Sequence, residues 1–217
     1  LIDAVNRAEG LAFIAHPIDP EAARFSQPDL SWVDWGIDGY VGIEIWNFMS
    51  EFKSLLASVP AAIFYAYHPD RVGHSPLRET LSLWDGLLNS GQQVVAVGGT
   101  DAHGLRLSLG PLKRTVFPYD FAYSTVRTHV LLDEPLTGEA DSDRKRLFHS
   151  LRHGWCFVGY DLPASTNGFR FTAHGNEGTA RMGDSLRLGF GATLQVKLPQ
   201  KAQVRLVRNG ETARSWT

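Results

Sequence analysis

The chain carries one cysteine, Cys156, in 217 residues, so an internal disulfide is excluded. Like charges never run longer than the Arg144-Lys145-Arg146 triplet, and the formal net charge is −2. A nucleic acid or an anionic membrane surface is therefore not expected as the main partner. No apolar run approaches the roughly 20 residues that a membrane span requires, and no signal peptide is visible. The compartment stays open, since exported proteins also exist without disulfides. An initiator methionine is missing as well. "LIDAVNRAEG" reads as the last turns of a helix stopped at Gly10, and a piece of a longer protein is expected.

What is present is a globular composition, 43% hydrophobic and 20% charged, with 11 Pro and 21 Gly. It suffices for one sizeable core, or for one domain and part of another. Along the chain, helices alternate with short apolar runs. "LAFIA" (11–15), bounded by Gly10 and His16-Pro17, reads as a buried strand, and "GIEIW" (42–46) as a second, followed by a helix over 48–58. Ser75 and Pro76 signal a helix start, and Leu77, Leu81, Trp84, Leu87 and Leu88 make its apolar stripe up to Gly91. "VVAV" (94–97) is the next strand. "THVLLDE", a helix capped at Asp141 or Ser142 and stopped by Gly154, and "WCFVGY" repeat the strand, helix, strand order. From about residue 162 the texture changes to the short alternating runs "FRFTAH", "SLRLG", "TLQVKL" and "QVRLVRNGE". Asn209-Gly210 there is a strong hairpin signal. The expected class is α/β with a change of architecture near residue 162, where a small all-β, sandwich-like module over 162–217 takes over.

In open sheets and barrels of parallel strands, functional side chains sit where strands end and loops begin. Three strands here end in candidate groups: "LAFIA" in His16, "GIEIW" in Glu44 and Asn47, and "VVAVGG" in Thr100, Asp101 and His103. Residues two apart in an extended segment point to one side, so Asp101 and His103 can reach a common centre, with Gly98 and Gly99 allowing the tight backbone that aims them. A carboxylate and imidazoles in this arrangement suit Zn²⁺, Mn²⁺ or Fe²⁺ in a hydrolytic role. The other candidates have plainer readings. His68 and His74 read as loop residues, and His149 and His153 as residues of a solvated helix and its end. His129 and His174 have no partner pattern, the tryptophans read as core or pocket walls, and Cys156 as a buried strand residue.

"GLAFIAHP", "GIEIWN", "LWDGLLNSGQQVVAVGGTDAHG" and "LRHGWCFVGYD", in that order, resemble the later part of a PHP (polymerase and histidinol phosphatase) superfamily metallohydrolase of the CehA/McbA-type branch. The resemblance implies a distorted seven-stranded (β/α)7 PHP-type barrel, incomplete here and spanning residues 1–161, before the β-rich module. It implies divalent metal ions at the strand ends. His16 matches a late histidine ligand of the family, and Asp101 and His103 match its final Asp-x-His pair, which are thereby also the catalytic candidates. Glu44 and Asn47 match an element beside the site, implying substrate contact or support of the ligands. The family's earlier ligands would precede Leu1. About a third of the ligand set would then be present, and the chain alone would be a poor catalyst. The implied activity is hydrolysis of a small phosphate ester, with carbamate or amide ester hydrolysis as the alternative in the same class. A non-catalytic module binding carbohydrate or protein is the alternative in another class.

Overall fold

The computed structural model describes residues 1–109 and 112–217, and side chains outside 107–112. Its centre is a parallel sheet of three strands in the order β1 (Phe13–Ile14), β2 (Gly42–Asn47), β3 (Val95–Gly99). The strands come close because Gly42 lacks a side chain; a Cβ there would run into the Val95 carbonyl. Helix α1 (Ile2–Arg7) precedes β1, and its chain leaves through Glu9, the residue that takes the left-handed conformation at φ 56°. Gly10 beside it is required for closeness, since a Cβ would meet Val5 at 2.8 Å.

Two apolar clusters flank this sheet. Ile14, Ile43 and Val94 are buried with Leu83, Trp84 and Leu87 packed on them. Those three residues come from α4 (Arg78–Asn89), the helix announced by the leucine and tryptophan stripe. Trp84 Nε1 donates to the Val94 carbonyl at 2.8 Å, pinning helix to strand. The second cluster holds Phe48 and Phe52 of α2 (Phe48–Ser54), Ala66 of α3 (Val59–Tyr67), Val72, Phe117, Val116 of β5 (Leu112–Val116) and Val126 of β6 (Val126–Val130). Phe52 meets Phe117 edge to face at 4.7 Å, the geometry aromatic quadrupoles favour.

Several elements differ from the sequence expectation. The helix over 48–58 divides, because the Ser58 hydroxyl accepts from the Ala61 N–H and starts a new helix with Pro60 in its first turn. Ser75 does not cap α4, whose first residue is Arg78; its N–H goes instead to the buried Glu51 carboxylate. After His103, β4 (Leu105–Leu109) pairs antiparallel with β5.

The β6, α6 (Ala140–Arg152), β7 (Cys156–Tyr160) unit has the expected order of elements, but its strands pair antiparallel, where a barrel unit requires parallel neighbours. This ribbon lies against β3. Thr128 Oγ1 accepts from the Gly98 N–H at 2.9 Å and donates to the Gly98 carbonyl at 2.8 Å. Val126 and Val158 fill the space that a Gly98 side chain would occupy. Among the described residues the strands form small separate sheets, none closed into a barrel, and no helix is long and apolar enough to cross a membrane.

Beyond residue 162, β8 (Arg170–Gly175) lies between β10 (Ala192–Lys197) and β9 (Gly178–Arg181), and β11 (Val204–Arg208) pairs with β12 (Glu211–Trp216). Asn209 and Gly210 both have positive φ, 52° and 80°, as a type I′ hairpin turn requires. "SLRLG" is not a strand; the sheet is completed by β9, four residues without alternation. An aromatic staple joins this module to the ribbon. The Arg181 guanidinium lies 3.4 Å from the centre of the Trp155 ring and pairs with Asp133 at 2.6 Å, while Trp155 Nε1 donates to Asp184 at 2.7 Å.

Candidate metal centre at the strand ends

Because β1, β2 and β3 are parallel and adjacent, their C-terminal ends fall on one edge of the sheet. His16 lies just past β1 in a left-handed conformation, φ 30°, which a non-glycine residue holds only under constraint. The constraint is visible: the His16 N–H donates to Glu44 Oε2 at 2.8 Å. The same oxygen accepts from Asn47 Nδ2 at 2.9 Å, and Asn47 Oδ1 in turn accepts the Ser50 N–H at 2.8 Å as the cap of α2. One chain of bonds thus ties the His16 backbone to the helix that follows β2. The other Glu44 oxygen leans on β3, where a Cβ on Gly99 would stand 2.9 Å from Oε1. The second glycine of the "VGGTDAHG" run is therefore a matter of space, for Gly98 and Gly99 both lie in the strand without positive φ.

Burial pushes the Glu44 carboxyl above the usual range, and the neighbouring Asp101 carboxylate adds to the rise. The hydrogen bonds from Asn47 and His16, with the His16 charge, oppose it without cancelling it. Glu44 therefore feels both His16 and Asp101. Among the described residues, the buried His16 Nδ1 has no hydrogen-bond partner. Such an atom costs about 1–3 kcal/mol in desolvation, and few are left so in folded proteins.

Asp101 also has positive φ, 48°, and the bend folds His103 back. His103 Nδ1 lies 2.5 Å from the Asp101 carbonyl and 3.6 Å from Asp101 Oδ1. A carbonyl only accepts, so Nδ1 carries the proton and Nε2 keeps its lone pair, the arrangement of a histidine that binds metal through Nε2. The His103 side chain is 56% exposed and that of Asp101 35%.

The expected groups are thus on one edge, joined as a Glu44–His16 pair and an Asp101–His103 pair. Their donors, imidazole nitrogens and carboxylate oxygens, fit the chemistry of Zn²⁺, Mn²⁺ or Fe²⁺, and the partnerless His16 Nδ1 is an atom such an ion would satisfy. Among the described residues no three His, Cys, Asp or Glu side chains stand close enough together to hold an ion as a ready-made shell.

The remaining histidines are placed elsewhere. His68 packs on Phe64 at 4.7 Å, and His149 and His153 surround Trp155. His174 joins Thr172, Thr179 and Gln195 on the β8 sheet. His129 Nε2 stands 3.0 Å from both Asp161 Oδ2 and Thr166 Oγ1. Cys156 is buried, and burial pushes its thiol up to about 11.

Two buried charges went unnoticed in the sequence. Glu51 accepts from Trp46 Nε1 at 2.7 Å and from the N–H groups of His74 and Ser75 at 2.7 and 3.2 Å. Lys53 Nζ pairs with Asp19 Oδ2 at 2.9 Å and donates to the Pro28 carbonyl. Through them α2 holds both the loop that follows His16 and the segment before α4. Only the nearness of Glu51 and Lys53 to the strand end marked them in the sequence; apart from Trp46, their partners are 23 to 34 residues away. Comparison with models of protein families, with curated proteins and with solved structures gave no match.

Proposed function

We propose that the strand-end residues belong to a divalent-cation centre for hydrolysis of phosphate esters, with residues 1–161 as the later part of a PHP-type barrel and 162–217 as its sandwich-like module. The observation that carries the reading is the buried His16 Nδ1, partnerless among the described residues, on the same sheet edge as Glu44 and the Asp101–His103 pair. A cation held there would polarise the phosphoryl group and make water nucleophilic near neutral pH.

The chain's own part follows from its bonds. His16 and His103 offer imidazole nitrogens, and Asp101 offers a carboxylate that offsets the charge of a cation. Glu44 holds the His16 backbone in its left-handed turn, and Asn47 holds Glu44. The Asp101 carbonyl fixes the His103 tautomer and turns Nε2 outward. Substrate enters from the exposed side, where the Asp101 and His103 side chains are open to solvent.

A panel of phosphomonoesters, phosphodiesters and aryl carbamates, assayed on the full-length protein with Mn²⁺, Zn²⁺ or Fe²⁺, tests this. Phosphoester turnover that needs the metal and falls by orders of magnitude in Asp101→Asn is the expected result. Turnover confined to carbamates would replace the substrate class. A metal-loaded protein inert on the whole panel, or full turnover in Asp101→Asn, would refute the proposal.

A further inference from the structure

The short helix α5 (Tyr119–Ala122) has two unlike faces. Its inner face is core: the Phe121 ring stacks on Phe117 at 5.9 Å and meets Phe48 at 6.1 Å, and Ala122 is fully buried. Its outer face is Tyr119 and, four residues on, Tyr123. Their rings stack at 6.1 Å with an interplanar angle of 21°, yet the residues are 54% and 61% exposed. Neither ring fills the core. The backbone beneath them is firmly held, since Arg127 Nε donates to the Tyr123 carbonyl at 2.6 Å and the buried Thr125 hydroxyl to the Ala122 carbonyl at 2.7 Å.

The pair stands against the candidate centre. Tyr119 lies over Gly104, where a Cβ would come within 3.3 Å of Tyr119 Cε2 and 3.6 Å of Cζ. Its hydroxyl is 3.5 Å from the His103 carbonyl. Two stacked rings open to solvent, the first of them over the residue next to His103, make a platform whose apolar faces gain by being covered. Tyrosine recognises in this way at low entropic cost, because few torsions must be frozen.

We propose that Tyr119 and Tyr123 form the wall that takes a ring in the leaving group of the ester by its apolar face, an assignment that rests on the hydrolase reading above. The shared chemistry is an apolar ring face, the flat face of an aryl group or the C–H face of a pyranose. The phosphoryl group would lie toward Asp101 and His103 and the ring against the tyrosines.

Phenyl phosphate and glucose 1-phosphate supply the two ring types, and methyl phosphate is the reference without a ring. In Tyr119→Leu and Tyr123→Leu the kcat/KM of a ring substrate relative to methyl phosphate should fall about tenfold, through KM. Whichever ring substrate shows the fall identifies the source of the ring. Tyr123→Leu touches neither His103 nor Gly104, so a loss there cannot come from a disturbed metal loop. Saturation-transfer NMR of both ring phosphates in the presence of a chelator gives a readout independent of turnover. Transfer from wild type to the ring protons should disappear in the leucine variants. Unchanged ratios together with unchanged transfer overturn the wall. Inert wild-type protein that still shows tyrosine-dependent transfer would overturn the hydrolase reading and leave the wall standing.

Discussion

Replacing Lys53 by Met should be among the most damaging single changes that leave the apolar clusters intact. The Lys53 and Asp19 side chains are each 9% exposed, and their contact is 2.9 Å. The Asp19 carboxylate has Lys53 as its hydrogen-bond donor, while the ammonium also serves the Pro28 carbonyl. Met restores the apolar stem but strands the carboxylate, and breaking a buried pair from one side costs about 3–5 kcal/mol. Total stability is about 5–15 kcal/mol, so a substantial fraction is at stake. Urea unfolding followed by tryptophan fluorescence measures it, and the midpoint should fall with little change in slope. The double variant Asp19→Leu with Lys53→Met removes both charges and should recover much of the loss. The effect should also persist in high salt, because buried pairs are weakly screened. A single-variant cost below about 1 kcal/mol, the range of exposed pairs, would show that the pair is solvated and refute the reasoning. The consequence reaches the candidate centre, because the same loop makes the bonds from Leu30 N–H to the Asp19 carbonyl and from Trp32 N–H to the Pro17 carbonyl, next to His16.

Native Cys156, with its thiol at about 11, should react with iodoacetamide at pH 8 about a hundredfold more slowly than an ordinary cysteine; labelling at the free-thiol rate would contradict its burial. Burial alone would raise Asp161, but the hydroxyl and N–H of Thr166, with His129, outweigh it and leave the carboxyl below its ordinary range. A depressed carboxyl stabilises the fold above its unfolded pKa and loses that contribution as pH falls through the folded value. Thr166→Val should therefore cost about 1–2 kcal/mol at neutral pH, with the gap to wild type closing as acid protonates Asp161. A gap independent of pH in chemical denaturation would assign the loss to packing.

Elements written in local pattern were legible in the sequence. The Leu and Trp stripe of α4, the apolar runs of β2 and β3, the stop at Gly154 and the Asn209-Gly210 turn each carry their signal within a few residues. What escaped depends on distant partners. Ser75 looks like a cap until Glu51 claims its N–H. β6 and β7 look like parallel neighbours until their pairing shows them antiparallel, since strand direction is not encoded in the strands' own residues. β9 has no alternation and is a strand only because β8 offers it an edge. At the candidate centre, the placing of His16, Asp101 and His103 at strand ends was readable. The bond from His16 N–H to Glu44 and the two left-handed residues were not, because the partner that holds His16 is 28 residues away on the neighbouring strand and positive φ at a non-glycine residue has no local sequence signal.

The central claim is that His16 and Asp101 bind a divalent cation, and the most direct test is Zn²⁺ affinity by competition with a chelating dye. Wild type, His16→Ala and Asp101→Asn would be compared, with circular dichroism confirming that all three are folded. The account predicts measurable binding by wild type and affinity weaker by at least about tenfold in each variant. Equal affinity in all three proteins, or none in wild type, would contradict it.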